Sequence, residues 1–194
     1  GKTNAAADTA WYAAVPGNPN AFTCLAGFSW TSGNTANSIY VMRPIGRANV
    51  VNAQTTSDSS VVLDADPSPS GNTIAAGDQC VIRYADGTYR RTQVNTAGWN
   101  GTTKTLTFTG TLAANVSAGA KFFMMGVYTD TDPVTGAAFP LFATAANTTD
   151  SPSYKQFAAV GVRGAQPGDP LLIYCPNATN PTVLNYAEYA NTIE

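Results

Sequence analysis

The chain has 194 residues, 44% apolar and 10% aromatic, enough to bury a real core without disulfides or metals. Only 11% of its residues are charged, against about 25% in ordinary soluble domains, and Thr, Asn, Ser, Gly and Ala replace them. A net charge of −2 and ten scattered basic residues give no field to gather nucleic acid or an anionic membrane. No apolar run approaches the roughly 18 residues of a spanning helix. Nor does a basic start followed by an apolar stretch mark a leader. Neither nucleic acid nor membrane is expected as a partner.

Residues 9–42 carry no charged side chain. They hold Trp11, Tyr12, Phe22, Phe28, Trp30 and Tyr40, broken by Pro16-Gly17-Asn18-Pro19-Asn20, with no helical period. So aromatic a segment has to be covered, either by its own domain or by another subunit. The expected organisation is an extended, loop-rich N-terminal arm over 1–40 and a β domain over 41–194.

From residue 60 the chain reads as strands and turns. Val61-Val62-Leu63 is a short β-branched run closed by the loop Asp66-Pro67-Ser68-Pro69-Ser70-Gly71. Cys80, Ile82 and Tyr84 alternate with Val81 and Arg83, which predicts a strand over 79–84. Asp86-Gly87 predicts a two-residue hairpin turn with positive φ at both positions, returning along 88–94. Gly98-Trp99-Asn100-Gly101 predicts a turn, which puts Trp99 on a loop, either packed onto its own sheet or serving as an interface anchor. Lys104, Leu106 and Phe108 then face one way and Thr105, Thr107 and Thr109 the other, a strand over 104–109. The run Phe122–Tyr128 predicts a strand covered on both faces, and Leu171–Cys175 is similar. Helix signals are few. Ser153 and Gln156 have capping-box spacing, although Tyr154, Gln156, Ala158, Val160 and Val162 also alternate, and Val183, Tyr186 and Tyr189 recur every three residues. The pattern as a whole is all-β: a single barrel or sandwich with little helix.

The sequence has no histidine, which removes imidazole bases, Ser-His-Asp and Cys-His nucleophiles and His metal sites. Cys24, Cys80 and Cys175 are odd in number and dispersed, so they read as reduced, buried thiols rather than a disulfide or zinc framework. Most of the ten Asp residues lie in turn contexts such as Asp66-Pro67, Asp86-Gly87 and Asp132-Pro133, where a carboxylate caps backbone groups. Asp130-Thr131-Asp132 lacks the further ligands and closing Glu of a calcium loop. No catalytic residue, metal or cofactor is expected, and the chain is read as a non-enzyme. Its candidate contact residues are the aromatics Trp11, Tyr12, Phe22, Trp30 and Trp99, large side chains that anchor interfaces at little entropic cost.

Residues 73–128 run TIAAGDQCVIRYADGTYRRTQVNTAGWNGTTKTLTFTGTLAANVSAGAKFFMMGVY. The Gly-Asp lead-in, the strand pair, the Thr-rich strand and the second Gly lead-in resemble tailed-phage capsid decoration (cement) proteins over under a third of the chain. The resemblance implies a virion protein on the outer capsid surface, made in the host cytoplasm, that staples neighbouring subunits of the major capsid protein. It also implies a homo-oligomer, a trimer foremost, with the uncharged 9–42 segment as its arm. Two other readings stay open. One is a glycan-binding domain of a phage fibre or secreted adhesin, with Trp99 stacked on the sugar. The other is a small glycosidase or lyase using paired Asp residues.

Overall fold

The computed structural model describes residues 2–3, 11–31, 40–68, 73–127, 129–131, 138–140, 153–156, 162–175 and 183–192. The described residues form strands, turns and bends with no helix among them, and the chain is all-β. In chain order the strands are β1 (Lys2–Thr3), β2 (Trp11–Val15), β3 (Ala21–Thr31), β4 (Tyr40–Asn49) and β5 (Ser60–Val62). Next come β6 (Gln79–Arg83), β7 (Tyr89–Asn100), β8 (Thr105–Phe108), β9 (Lys121–Val127) and β10 (Thr129–Thr131). The last five are β11 (Ala138–Pro140), β12 (Ser153–Gln156), β13 (Val162–Arg163), β14 (Leu171–Cys175) and β15 (Val183–Thr192). Every pairing whose register is defined is antiparallel.

These strands fall into two compact units. One holds the described residues up to Arg43 and those from Val127 onward; the other is Pro44–Gly126. Within the first unit, β2 and β3 are strands of the N-terminal segment. They pair with strands from the C-terminal third.

In the first unit, β14 lies between β2 and the start of β4. Leu172 stands opposite Ala14 and Met42, and Tyr174 opposite Tyr12 and Tyr40. Val15, Val41, Leu171, Leu172 and Ile173 are fully buried, as an apolar run such as LLIYC requires of a strand covered on both faces. β3 pairs with β15 along its whole length, and with β12 and β13 on its other side. Ser153–Gln156 and Val183–Thr192 are therefore strands, and neither stretch is helical. In the Ser153 segment the alternating pattern was already visible, and the long partner β3 supplies the hydrogen bonds a helix would have made internally. A tight backbone approach locks the loops of this unit. Gly168 N donates to Asn18 O at 2.7 Å, and a Cβ on Gly17 would lie only 1.9 Å from Gly168 O.

The second unit has the strand order β4-β9-β6-β7-β8-β5. Its two ends are tied by a short seam. Val50 pairs antiparallel with Leu63, Val51 N donates to Val62 O at 2.8 Å and Asp64 N to Asn49 O at 3.0 Å. The sheet is open at its named strands, yet this seam lets it wrap one core in the manner of a barrel. That core contains Ala48, Val50, Val61, Leu63, Cys80, Ile82, Tyr84, Val94, Leu106, Phe108, Phe122 and Met124, the inward set of each strand's period-two alternation. Leu112 and Val116 complete it from the 109–120 connection, where Leu112 N donates to Asp58 O at 2.8 Å and Gln54 pairs with Val116.

Strands β6 and β9 are buried on the opposite face as well, through Val81, Phe123 and Met125. Arg91 lies on that face, 1% exposed. Its Nε donates to Gln79 Oε1 at 2.5 Å and its Nη2 to Gln93 Oε1 at 3.3 Å, which meets the demand that a buried guanidinium be hydrogen-bonded.

Two expected turns differ in detail. The β6–β7 hairpin has a three-residue loop, Ala85-Asp86-Gly87: Gly87 N donates to Tyr84 O and Tyr84 N to Thr88 O. Gly87 alone has positive φ, at 80°, because a type I turn precedes it. Asp86 is held instead by its side chain, whose Oδ1 accepts from Thr88 N at 2.9 Å. The second turn sits at Gly101–Lys104, after β7 rather than around Trp99. Lys104 adopts φ 52° there, leaving the Leu106–Phe108 face and donating from Nζ to Asp64 O at 2.8 Å.

Two outcomes are expected. A fragment spanning 44–126 folds alone, with a dispersed amide spectrum and one cooperative melting transition; a random-coil spectrum would show that its core depends on the rest of the chain. Gly46→Ala in the full chain places a Cβ 1.5 Å from Pro67 O, so it lowers stability by about 3 kcal/mol in chemical denaturation.

Candidate functional site

The five aromatic candidates divide between the units. Trp11 opens β2, opposite Thr3 and Cys175. Trp30 lies near the end of β3, opposite Ser153 on one side and Leu184 on the other. The side chains of both lie outside the described residues. Tyr12 is 4% exposed, inside its own unit, and Phe22 is half-buried on β3.

Trp99 belongs to the second unit, and it is on a strand rather than a displayed turn. Val94 pairs with Phe108 and Trp99 with Leu106, so β7 advances five positions while β8 retreats two. Asn95 turns the extra residues by accepting from Ala97 N at 2.8 Å and Gly98 N at 3.2 Å, with Gly98 at φ 59°. The bulge returns Trp99 to the sheet, where it packs half-buried against the barrel core. Such bulges re-aim a side chain in the middle of a strand, and the flanking glycines carried that signal ambiguously.

One grouping was not visible in the sequence. Tyr12, Tyr174 and Tyr40 stand directly opposite one another on β2, β14 and β4, so they project from the same face. The Tyr40 and Tyr174 rings lie 6.5 Å apart at 33°, within the range of favourable aromatic pairs. No local motif marks them, because their neighbourhood comes from strand register between distant segments.

The carboxylates build turns. Asp58 Oδ2 accepts from Thr55 N at 2.7 Å, Asp66 Oδ1 from Ser68 N at 2.8 Å and Asp78 Oδ2 from Ala75 N at 2.9 Å. Asp169, itself buried, accepts from Ala165 N at 2.8 Å and Gln166 N at 3.0 Å. Asp86 also binds Arg90 Nη2 at 2.9 Å, and the Arg90 guanidinium lies 5.3 Å from the centre of the Tyr84 ring. Hydrogen bonds from Thr88 hold the Asp86 carboxyl below the usual range. The Asp130-Thr131-Asp132 segment contributes Asp130 and Thr131 to β10, and Asp132 lies outside the described residues. Among those residues no three Cys, Asp or Glu side chains gather into a metal-binding set.

Cys24 and Cys80 are buried free thiols. Cys80 Sγ contacts Met124 Sδ at 3.4 Å. Burial first, and the Asp78 carboxylate second, push the thiol well above its usual range, so Cys80 stays protonated and behaves as a small apolar residue. The Cys175 side chain lies outside the described residues.

No protein-family model and no curated protein matches the chain. Among solved structures it is similar to the VP16-VP17 complex of the two major capsid proteins of bacteriophage P23-77. That match has 17% identity over 93% of this chain and 96% of that chain, with a TM-score of 0.24. VP17, a capsid protein of bacteriophage P23-77, matches at 18% identity over 97% of this chain and 89% of that chain, again with a TM-score of 0.24. At that TM-score the superpositions carry no argument about fold or function.

Asp64 gives the electrostatic prediction. Its Oδ1 accepts from Asn49 N at 2.8 Å and its Oδ2 from Asn49 Nδ2 at 2.7 Å, and these bonds hold its carboxyl below the usual range. A depressed folded pKa stabilises above the unfolded value, about 3.9, and that contribution is lost as pH falls through the folded pKa. Amides of the seam are therefore expected to lose hydrogen-exchange protection below about pH 4. Asp64→Ala should remove that acid limb and cost about 1 kcal/mol at neutral pH, solvent exposure keeping the figure low.

Proposed function

We propose that the chain is a structural protein of a bacteriophage virion, a decoration or cement protein that binds the outer head surface without catalysing a reaction. It staples neighbouring subunits of the major capsid protein and assembles with copies of itself, as a trimer. The observation that supports this reading is where the chain spends its polar chemistry. Five Asp side chains (Asp58, Asp66, Asp78, Asp86 and Asp169) each accept a backbone N–H of a turn, Asp64 accepts that of Asn49 at the strand seam, and Arg91 spans two glutamines within its sheet. These groups rigidify a scaffold whose remaining surface is nearly neutral. The segment whose sequence resembles cement proteins also supplies the contiguous strands β6 to β9 of the second unit.

Trp11 on β2 and Trp30 on β3 serve as the partner anchors, with Phe22 also on β3. Tyr12 and Trp99 contribute by packing within their own units. Trp99 seated on the barrel core favours the structural reading over a glycan platform, which needs an open aromatic face.

Fractionation of virus-producing cells tests the proposal. The chain should sediment with DNA-filled heads, and antibodies against it should decorate intact particles. Trp11→Ala should reduce particle-bound protein by tenfold or more while leaving its melting temperature unchanged. Recovery of the chain only in the soluble fraction, with undecorated heads, would overturn the reading. A Trp11→Ala chain that melts much earlier would place Trp11 in the core instead.

A further inference from the structure

A half-open cavity of about 210 Å³ in the second unit is lined by Ile45, Ser68, Thr73, Ile74, Asp78, Met124 and Met125. Its apolar wall includes Ile45, which is 43% exposed although large aliphatic side chains are normally covered. Met124 and Met125, consecutive on β9 and both buried, also line it, and thioether side chains adapt to an inserted chain. The volume lies below the roughly 300–1,000 Å³ of small-molecule sites, so it suits one inserted side chain rather than a cofactor.

Asp78 gives the cavity its charge. Oδ2 is used by Ala75 N at 2.9 Å, while among the described residues no donor reaches Oδ1 and no cation pairs with the carboxylate. The Thr73 hydroxyl is likewise without a partner among those residues. Apolar walls ending at a half-used carboxylate and a hydroxyl match an alkyl stem that carries a cation.

We infer that this cavity receives the side chain of a lysine presented by a partner protein. Lysine fits better than arginine because a single free oxygen cannot accept the bidentate fork that gives guanidinium its advantage. Two lysines of a second copy, Lys104 and Lys121, are poor donors for the site. Lys104 Nζ is bound to Asp64 O and Lys121 Nζ to Asn49 Oδ1, each at 2.8 Å. The inference rests on the proposed role in binding a capsid partner, where it adds a specific contact made by the second unit.

Methyl-¹³C-methionine NMR of the full chain tests it, because the sequence has three methionines and Met42 in the first unit is an internal reference. Titration with pentylammonium should shift the Met124 and Met125 methyl signals saturably, with Kd on the order of millimolar for so small a probe, and leave Met42 still. Pentanol and propylguanidinium should bind several-fold more weakly. Asp78→Asn keeps an acceptor for Ala75 N and should erase the preference for the ammonium over the alcohol. No saturable shift, an equal response to pentanol or propylguanidinium, or an unchanged ammonium preference in Asp78→Asn would each overturn the inference. The titration reads the isolated chain, so its failure leaves the particle-binding test untouched. Failure of particle binding with an intact titration would instead remove the capsid role and keep the lysine site.

Discussion

The arrangement of the second unit depends on the seam between the residues around Val50 and Leu63. Without it, β5 would be a three-residue edge strand and the end of β4 an open one, each presenting unpaired backbone groups to any passing strand. Two backbone hydrogen bonds flank the Val50–Leu63 pair, and the Asp64 carboxylate doubles the link by gripping both the backbone and the side-chain amide of Asn49. Joining the ends brings Val61 and Leu63 over Phe108 and Phe122, so the β-branched run of β5 finds a core to enter. Lys104 and Lys121 reach the same place from β8's lead-in turn and from β9. A surface cluster of four polar side chains thus holds the position of strands distant in sequence.

This use of charge explains the low charge content. A chain with 22 ionisable acidic and basic residues among 194 has few to distribute, and most of those described are engaged locally. The carboxylates set turn geometry, Arg90 braces the hairpin it follows, and Arg91 crosslinks its own sheet. Solubility then falls to short neutral side chains, chiefly Thr, Ser and Asn, which offer hydrogen bonds in place of a field.

Much of the second unit was legible because its signals are local. Alternation in Cys80–Tyr84, the Thr-rich face of Thr105–Phe108 and the unbroken apolar run at Phe122 each correspond to strands within a residue or two. The turn at Asp86-Gly87 was placed correctly but sized wrongly. Both turn types put a left-handed glycine at that position, and only the pairing of Tyr84 with Thr88 distinguishes them. The loop expected around Trp99 is a bulge, since glycines on either side mark both, while Trp99 does pack onto its own sheet. What the sequence concealed was the first unit, where β2, β14 and β4 assemble from three remote segments. The row Tyr12–Tyr174–Tyr40 exists only once that register is known. Nothing in residues 9–42 names the strands that β2 and β3 pair with, chiefly β12 to β15 beyond residue 150.

A nearly neutral surface also has an energetic consequence for association. Burying an ion at an interface costs several kcal/mol before any pairing offsets it, and interface centres are depleted in charge for that reason. A chain whose ions are already committed to its own turns avoids that cost over most of its area. Short Thr, Ser and Asn side chains also lose less rotamer entropy on contact than Lys, Glu or Arg. Non-specificity is the corresponding hazard, since neutral surfaces discriminate poorly. In the proposed lysine site the Asp78 carboxylate beside apolar walls addresses it, because one charge held in a fixed place selects a partner's register without burdening the rest of the contact.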